Sequence, residues 1–138
     1  MKSVITGGAG FIGSNLAEKL VQLGHKVVVL DNLSTGRLSN LNNIKNKIEF
    51  KNVDISKKDK LLDQYFEKVD WVFHLAGLAD IVPSIDNPTQ YFNSNVKGTL
   101  NILESSRRAN IKKLIYAASA SCYGISDKYP TNENSKIN

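Results

Sequence analysis

Three short stretches of this chain combine small or hydroxylated residues with a spacing that serves chemistry. The first is TGGAGFIG, residues 6–13, where Gly8, Gly10 and Gly13 satisfy G-x-G-x-x-G and Gly7, Gly10 and Gly13 satisfy G-x-x-G-x-x-G. A side chain larger than hydrogen would hold a pyrophosphate away from the backbone, and the free N–H groups and dipole of a helix start attract its negative charge. Gly13 would also let that helix pack closely on the preceding strand. The second is Asp31, which ends an apolar run eighteen residues after Gly13. There its carboxylate would accept hydrogen bonds from ribose hydroxyls and repel a 2′-phosphate, which favours NAD over NADP. Arg37, six residues further on, keeps NADP open. The third is AASASCYG, residues 117–124, directly after the apolar run LIY, a position at which working sites are often built.

Two further residues invite a chemical role and are better read otherwise. His74 ends a buried run, WVFH, and reads as a packed residue rather than a proton carrier. Cys122 is the only cysteine; with no neighbouring His or Asp to activate it, it reads as a small packed residue, and neither a disulfide nor a metal cluster follows from it. A lone thiol fits a reducing cytoplasm. The start MKSVITGGAGFIG has no apolar run long enough for a signal peptide, and nothing approaches the roughly 20 apolar residues of a membrane span. The net charge of +5 comes from 18 Lys and Arg against 13 Asp and Glu, and the basic residues lie in separated polar segments. With no nucleic-acid motif beside them they read as solvated faces, so neither nucleic acid nor membrane is expected as a partner.

The elements that must position these residues alternate along the whole chain. KSVIT (2–6), HKVVVLD (25–31), KIEFKNVD (47–54), VDWVFHLA (69–76) and KKLIYAAS (112–119) read as strands. Between them, FIGSNLAEKLVQLG (11–24), KKDKLLDQYFEK (57–68) and PTQYFNSNVKGTLNILESSRRAN (88–110) read as helices, the last opened by Pro88. Such alternation predicts an α/β fold whose parallel sheet is covered on both faces, and VVVL and WVF suit central strands. Right-handed crossovers place the strands in the order 3-2-1-4-5, with ligands bound beyond their carboxyl ends where the order reverses. One domain with a real core, burying roughly 65–70% of the unfolded surface, is what 138 residues allow. The final segment, 125–138, is polar and shows no periodicity.

TGGAGFIG, VVVLDNLSTG, VDIS, HLAG, SNVKGTLNILE and ASASCYG, in that order along essentially the whole chain, resemble the extended short-chain dehydrogenase/reductase family. The likeness is to its nucleotide-sugar epimerases of the UDP-glucose 4-epimerase type. It implies a Rossmann-type doubly wound sheet, truncated after about five strands, with NAD as cofactor. Gly7, Gly10, Phe11, Ile12 and Gly13 would then lie against the pyrophosphate, and Asp31, Asn32, Leu33, Ser34, Thr35 and Gly36 would wrap the adenosine ribose. Asp54 and Ile55 would flank the adenine, and Leu75, Ala76, Gly77, Leu78 and Ala79 would run along the nicotinamide. Asn95 would sit near the cofactor and brace the backbone. Asp54 as a mere strand end, and Asn95 as a mere backbone pin, remain open at this point.

Ser119 would be the catalytic residue that holds the sugar hydroxyl undergoing oxidation. Its family partner is a Tyr-x-x-x-Lys pair, the tyrosine taking the proton and the lysine lowering its pKa. None of Tyr65, Tyr91, Tyr116, Tyr123 and Tyr129 has a lysine four residues on, and family spacing puts that tyrosine a few residues past Asn138. Residues 1–138 are therefore expected to be an incomplete NAD-binding domain without the substrate domain, inactive alone and self-associating or dimeric, with a UDP-sugar as substrate of the whole enzyme. Ala120 and Ser121 replace the Asp and Glu with which family dehydratases eliminate water, which favours epimerisation over dehydration or decarboxylation. Ala79 stands where UDP-galactose 4-epimerases commonly carry lysine, so the sugar stays open. The other class of reading is a non-catalytic dinucleotide-binding or redox-sensing module. No metal is expected.

Overall fold

A computed structural model describes residues 1–57, 60–125 and 129–137 of the chain. Strand β1 (Lys2–Thr6) leads through the glycine loop into helix α1 (Phe11–Gln22), and β2 (Lys26–Asp31) follows. A 3-10 helix at Leu38–Ile44 precedes β3 (Ile48–Asn52), α2 (Lys60–Tyr65) and β4 (Trp71–His74). Then come α3 (Ile81–Asp86), α4 (Pro88–Tyr91), a π-helix at Phe92–Lys97, α5 (Gly98–Arg108), β5 (Lys113–Tyr116) and a 3-10 turn at Ala120–Tyr123.

The five strands are all parallel and ordered β3-β2-β1-β4-β5, as the crossover rule requires. Alternate residues of the central strands feed two cores. Val4, Val28, Leu30 and Val72 face Leu62, Phe66 and Ile102 of the helices on one side. Ile5, Val27 and Val29 face Ala17 and Leu20 of α1, together with Leu41 and Ile44, on the other. Burial on both faces explains why VVVL does not alternate with polar residues, and each such side chain contributes about 1.5–3 kcal/mol.

β1 matches the sequence expectation, and the other strands and α1 follow it with ends trimmed by one to three residues. The other helices depart from it. The span expected at 57–68 forms α2 at Lys60–Tyr65, and its residues 58 and 59 lie outside the described residues. The single helix expected at 88–110 is divided into α4, the π-helix and α5. The 3-10 helix at Leu38–Ile44 and the short α3 were not expected. Of the segment 125–138, residues 126–128 and 138 lie outside the described residues, and the rest is turns and extended chain.

Strand order reverses between β1 and β4. β2 and β3 lie on one side of β1 and β4 and β5 on the other, so the carboxyl ends of β1 and β4 part to open a crevice.

Candidate functional site

The glycine loop begins where β1 ends. Gly7 adopts φ +69° and donates from its N–H to the Leu30 carbonyl at 2.8 Å. It must be glycine for a second reason: a Cβ there would lie 2.7 Å from the Ala76 backbone nitrogen. At Gly13 a Cβ would stand 2.3 Å from the Gly7 carbonyl oxygen and 2.6 Å from Gly8 Cα, so α1 packs directly on the loop. Gly8 instead rests against Val29, where a Cβ would come within 2.6 Å of Cγ1. The double spacing in the sequence is thereby resolved: Gly7 and Gly10 face the crevice, and Gly8 packs on the sheet. Phe11 and Ile12 open the first turn of α1 with side chains 83% and 67% exposed, outside the cleft lining. Their N–H groups and that of Gly13 have no acceptor further back in the helix.

The crevice is a cleft of about 460 Å³, within the usual range for small-molecule sites. Gly7 and Gly10 form its middle. Asp31, Asn32, Ser34, Thr35 and Gly36, beyond β2, and Asp54 and Ile55, beyond β3, form one end. Leu75, Ala76 and Gly77, beyond β4, form the other. Both Asp31 oxygens are held by backbone amides, Oδ2 accepting from Ala9 at 2.9 Å and Oδ1 from Leu33 at 2.8 Å. Each keeps a further lone pair for a ligand. Leu33, at φ +59°, turns its side chain into the α1-side core and does not line the cleft. Arg37 is exposed and likewise outside it. Asp54 closes a tight turn, its Oδ1 accepting from the Ser56 N–H at 3.0 Å and the Ser56 hydroxyl at 2.7 Å, yet it also lines the cleft. Ile55 is buried against Gly98 of α5.

A second cavity of about 380 Å³ shares Leu75–Leu78 with the first and adds Ala79, Asn95, Thr99 and Tyr116–Ser119. Asn95 grips the turn after β4 from both sides, its Oδ1 accepting from the Leu78 N–H and its Nδ2 donating to the Leu78 carbonyl, both at 2.8 Å. Ser119 caps the 3-10 turn: its Oγ accepts from the Ser121 N–H at 3.1 Å and donates to Ser121 Oγ at 2.9 Å, with one lone pair left over. His74 is buried, and burial pushes its pKa down to about 4. Cys122 is half-buried and lies in neither cavity lining. Among the described residues no cluster of His, Cys, Asp or Glu could hold a metal ion, and no helix is long and apolar enough to cross a membrane.

Sequence reasoning missed Val53 and Ser56, and with them Asn87, Thr89, Gln90, Asn93 and Ser94, which the start of α4 and the π-helix lay along the cleft. The available signal was polar spacing: Gln90, Asn93 and Ser94 share one helical face across from Phe92 and Val96. The cleft lining holds two carboxylates and, among the described residues, no lysine or arginine. For an anion there the start of α1 offers first-turn N–H groups, those of Gly7, Ala9 and Gly10 being engaged by Leu30, Asp31 and Gly7.

Residues 3–138 match the NAD dependent epimerase/dehydratase family. Over 138 residues the chain is 44% identical to a putative UDP-glucose 4-epimerase of Methanocaldococcus jannaschii, which covers 98% of this chain and 44% of that protein. It is 40% identical to the UDP-glucose 4-epimerase of Mycolicibacterium smegmatis, covering 100% of this chain and 45% of that one. Among solved structures, the UDP-glucose-4-epimerase from Stenotrophomonas maltophila with bound NAD and formylated UDP-arabinopyranose superposes with a TM-score of 0.87 at 31% identity, covering 99% of this chain and 42% of the other. The Bifidobacterium longum UDP-glucose 4-epimerase in complex with NAD+ and UDP gives 0.87 at 29% identity, covering 100% and 43%. The chain thus spans less than half the length of these relatives.

Proposed function

The chain belongs to the NAD dependent epimerase/dehydratase family, and on that premise we propose that residues 1–138 form the dinucleotide-binding part of a nucleotide-sugar 4-epimerase acting on a UDP-sugar. One observation carries the reading. A single cleft runs from the braced carboxylate of Asp31, across Gly7 and Gly10, to Leu75–Leu78, and there meets the cavity that holds Ser119. That order matches a dinucleotide laid ribose first, pyrophosphate next, nicotinamide last.

The residues present suit NAD. A Cβ on Gly10 would meet only the Gly7 carbonyl, at 3.3 Å, so the rest of its surroundings is open cleft into which a pyrophosphate fits. Phe11, Ile12 and Gly13 offer their first-turn N–H groups to it, and no cation is needed. Asp31 takes the ribose hydroxyls on its spare lone pairs, and its charge opposes a 2′-phosphate. Asp54 and Ile55 border the adenine, and Gln90 and Asn93 line the same cleft. Leu75, Ala76, Gly77 and Ala79 line the nicotinamide end, and Asn95 fixes their turn. A bound nicotinamide dinucleotide supplies a reversible hydride acceptor, which inversion at a secondary alcohol carbon requires. Ser119 Oγ, already held by the Ser121 N–H, accepts from the sugar hydroxyl and orients it. The proton itself is taken by a tyrosine–lysine pair supplied from outside these residues.

Fluorescence titration with NADH tests the binding half of this reading. Saturable binding of one NADH per chain, tighter than NADPH, is expected; no binding of either overturns the reading. Assayed with UDP-galactose, the 138 residues alone should not form UDP-glucose, and robust turnover would refute the assignment of proton transfer to residues outside them.

A further inference from the structure

Beyond the backbone bond from the Leu75 N–H to the Thr6 carbonyl at 3.1 Å, the Leu75–Leu78 turn that joins the two cavities is held by side chains at two points. At one, the Ala76 N–H donates to Thr6 Oγ1 at 3.3 Å. At the other, the Leu78 N–H and carbonyl are both engaged by the Asn95 side chain. These grips come from opposite sides of the turn, one from the end of β1 and one from the π-helix. A single buried side chain connects them. His74 Nδ1 lies 2.6 Å from Thr6 Oγ1 and His74 Nε2 lies 2.8 Å from Thr99 Oγ1.

The direction of every bond in this chain follows from its far end. Thr99 Oγ1 donates its only proton to the Asn95 carbonyl at 2.6 Å, one turn back in the helix. It can therefore only accept from the imidazole, which places the ring proton on Nε2. A ring whose burial keeps it neutral then has a bare Nδ1, which accepts a hydrogen bond from the Thr6 hydroxyl, and Thr6 Oγ1 accepts in turn from the Ala76 N–H. No donor in the series is left without an acceptor. The ring also stacks on Tyr116 at 5.5 Å, and Tyr116 lines the second cavity beside Ser119.

We propose that His74 is a positioning residue: through Thr6 on one side and Thr99 with Asn95 on the other, it sets the Leu75–Leu78 turn that receives the nicotinamide half of the dinucleotide. The proposal rests on reading the cleft as a dinucleotide site. His74 touches no ligand; it acts through the turn. Its influence is confined to one end of the cleft, because Asp31 and Asp54 are bound to none of these partners.

The test compares the dissociation constants of NAD+ and ADP, since ADP fills the ribose and pyrophosphate region without reaching the turn. Wild type should bind both. His74→Leu should weaken NAD+ tenfold or more and ADP less than threefold. His74→Gln, whose amide can still donate toward Thr99, should recover part of the loss. Thr99→Val removes the hydroxyl that accepts from Nε2 while keeping the histidine itself and should shift the same ratio by a smaller factor, so the result stands even where His74→Leu does not fold. Equal losses for NAD+ and ADP, or no loss, in the folded variants would show His74 to be a packing residue only. Failure of wild type to bind either ligand would instead defeat the dinucleotide reading itself.

Discussion

Acidification should withdraw stability through His74 before the carboxylates are affected. The ring is 1% exposed, its polar partners are the hydroxyls of Thr6 and Thr99, and burial pushes its pKa from 6.5 down to about 4. In the unfolded chain the same ring takes its proton near the ordinary value. Between 6.5 and about 4 the unfolded state therefore holds one more proton than the folded state, and stability rises with pH across that window. Relative to neutral pH the loss is about 2 kcal/mol at about pH 5 and about 3 kcal/mol near pH 4, a large share of the total for a domain of this size. Asp63 and Asp70 act lower. Hydrogen bonds from Arg108 to the first and from Lys112 to the second hold both carboxyls below 3.8, so their contribution is present above that value and is lost only as pH falls through their lowered folded values. Urea unfolding at fixed ionic strength, in steps from pH 7.5 to pH 4, measures the effect. His74→Gln is neutral throughout, and its difference in stability from wild type should shrink by the same 2 to 3 kcal/mol, flattening as the folded pKa is passed. Parallel curves for the two proteins over that range would refute the reasoning, because they would mean that the buried ring accepts a proton without cost.

Three other substitutions probe the cleft. Gly13→Ala places a Cβ 2.3 Å from the Gly7 carbonyl oxygen and 2.6 Å from Gly8 Cα, backbone that has nowhere to retreat. It should cost roughly 2–3 kcal/mol in thermal unfolding and abolish NADH binding, since α1 must slide away from the loop. Asp31→Ala removes a charged acceptor and the brace on Ala9 and Leu33; NADH should bind roughly ten to a hundred times more weakly while NADPH loses less, so a preserved preference would contradict the role given to the carboxylate. Asn95→Ala leaves the Leu78 N–H and carbonyl without their partner, at about 1–3 kcal/mol. Hydrogen exchange at the Leu78 amide should accelerate more than at the sheet amides of β1, and an unchanged rate would show that the grip is dispensable.

The sheet was legible because its strands are enclosed. Val27–Leu30 is buried on both faces, so the run stays apolar and stands out from its surroundings. Residues 88–108 are helical as read, but the divisions of that helix and the short α3 before it were not legible, because most of the apolar residues in 81–108 are not the buried ones. Ile81, Val82, Ile85, Phe92, Val96, Leu100 and Leu103 are exposed, whereas Gly98, Ile102, Ser105 and Ser106 of α5 are covered. Small residues bring that helix close to the sheet, and periodicity of hydrophobic residues reports the opposite face. Pro83 inside α3 is a residue that disfavours a helix interior, so the sequence carries no helix signal there. In Leu38–Ile44 the asparagines masked a three-residue spacing, Leu41 and Ile44, that suits a 3-10 turn with both side chains in the core.

Within the site, what was legible is what a strand end dictates locally. Gly7, Gly10 and Asp31 follow directly from β1 and β2, and the backbone geometry that makes them useful is set by their own neighbours. Residues brought from a distance could not be read in that way. Thr6 and His74 stand opposite each other in the β1–β4 register, 68 positions apart in sequence, and Thr99 reaches the same ring from α5. A histidine ending a buried strand looks like packing from the sequence alone, and it is packed. Its second role arises only because parallel pairing sets one hydroxyl against Nδ1 while the π-helix, by carrying Asn95 to Leu78, leaves Thr99 facing Nε2. A histidine with both nitrogens bonded to hydroxyls, one of which accepts from the turn at Ala76 while the other donates to the backbone of the residue whose side chain grips Leu78, fills a structural position and at the same time bears on where that turn lies.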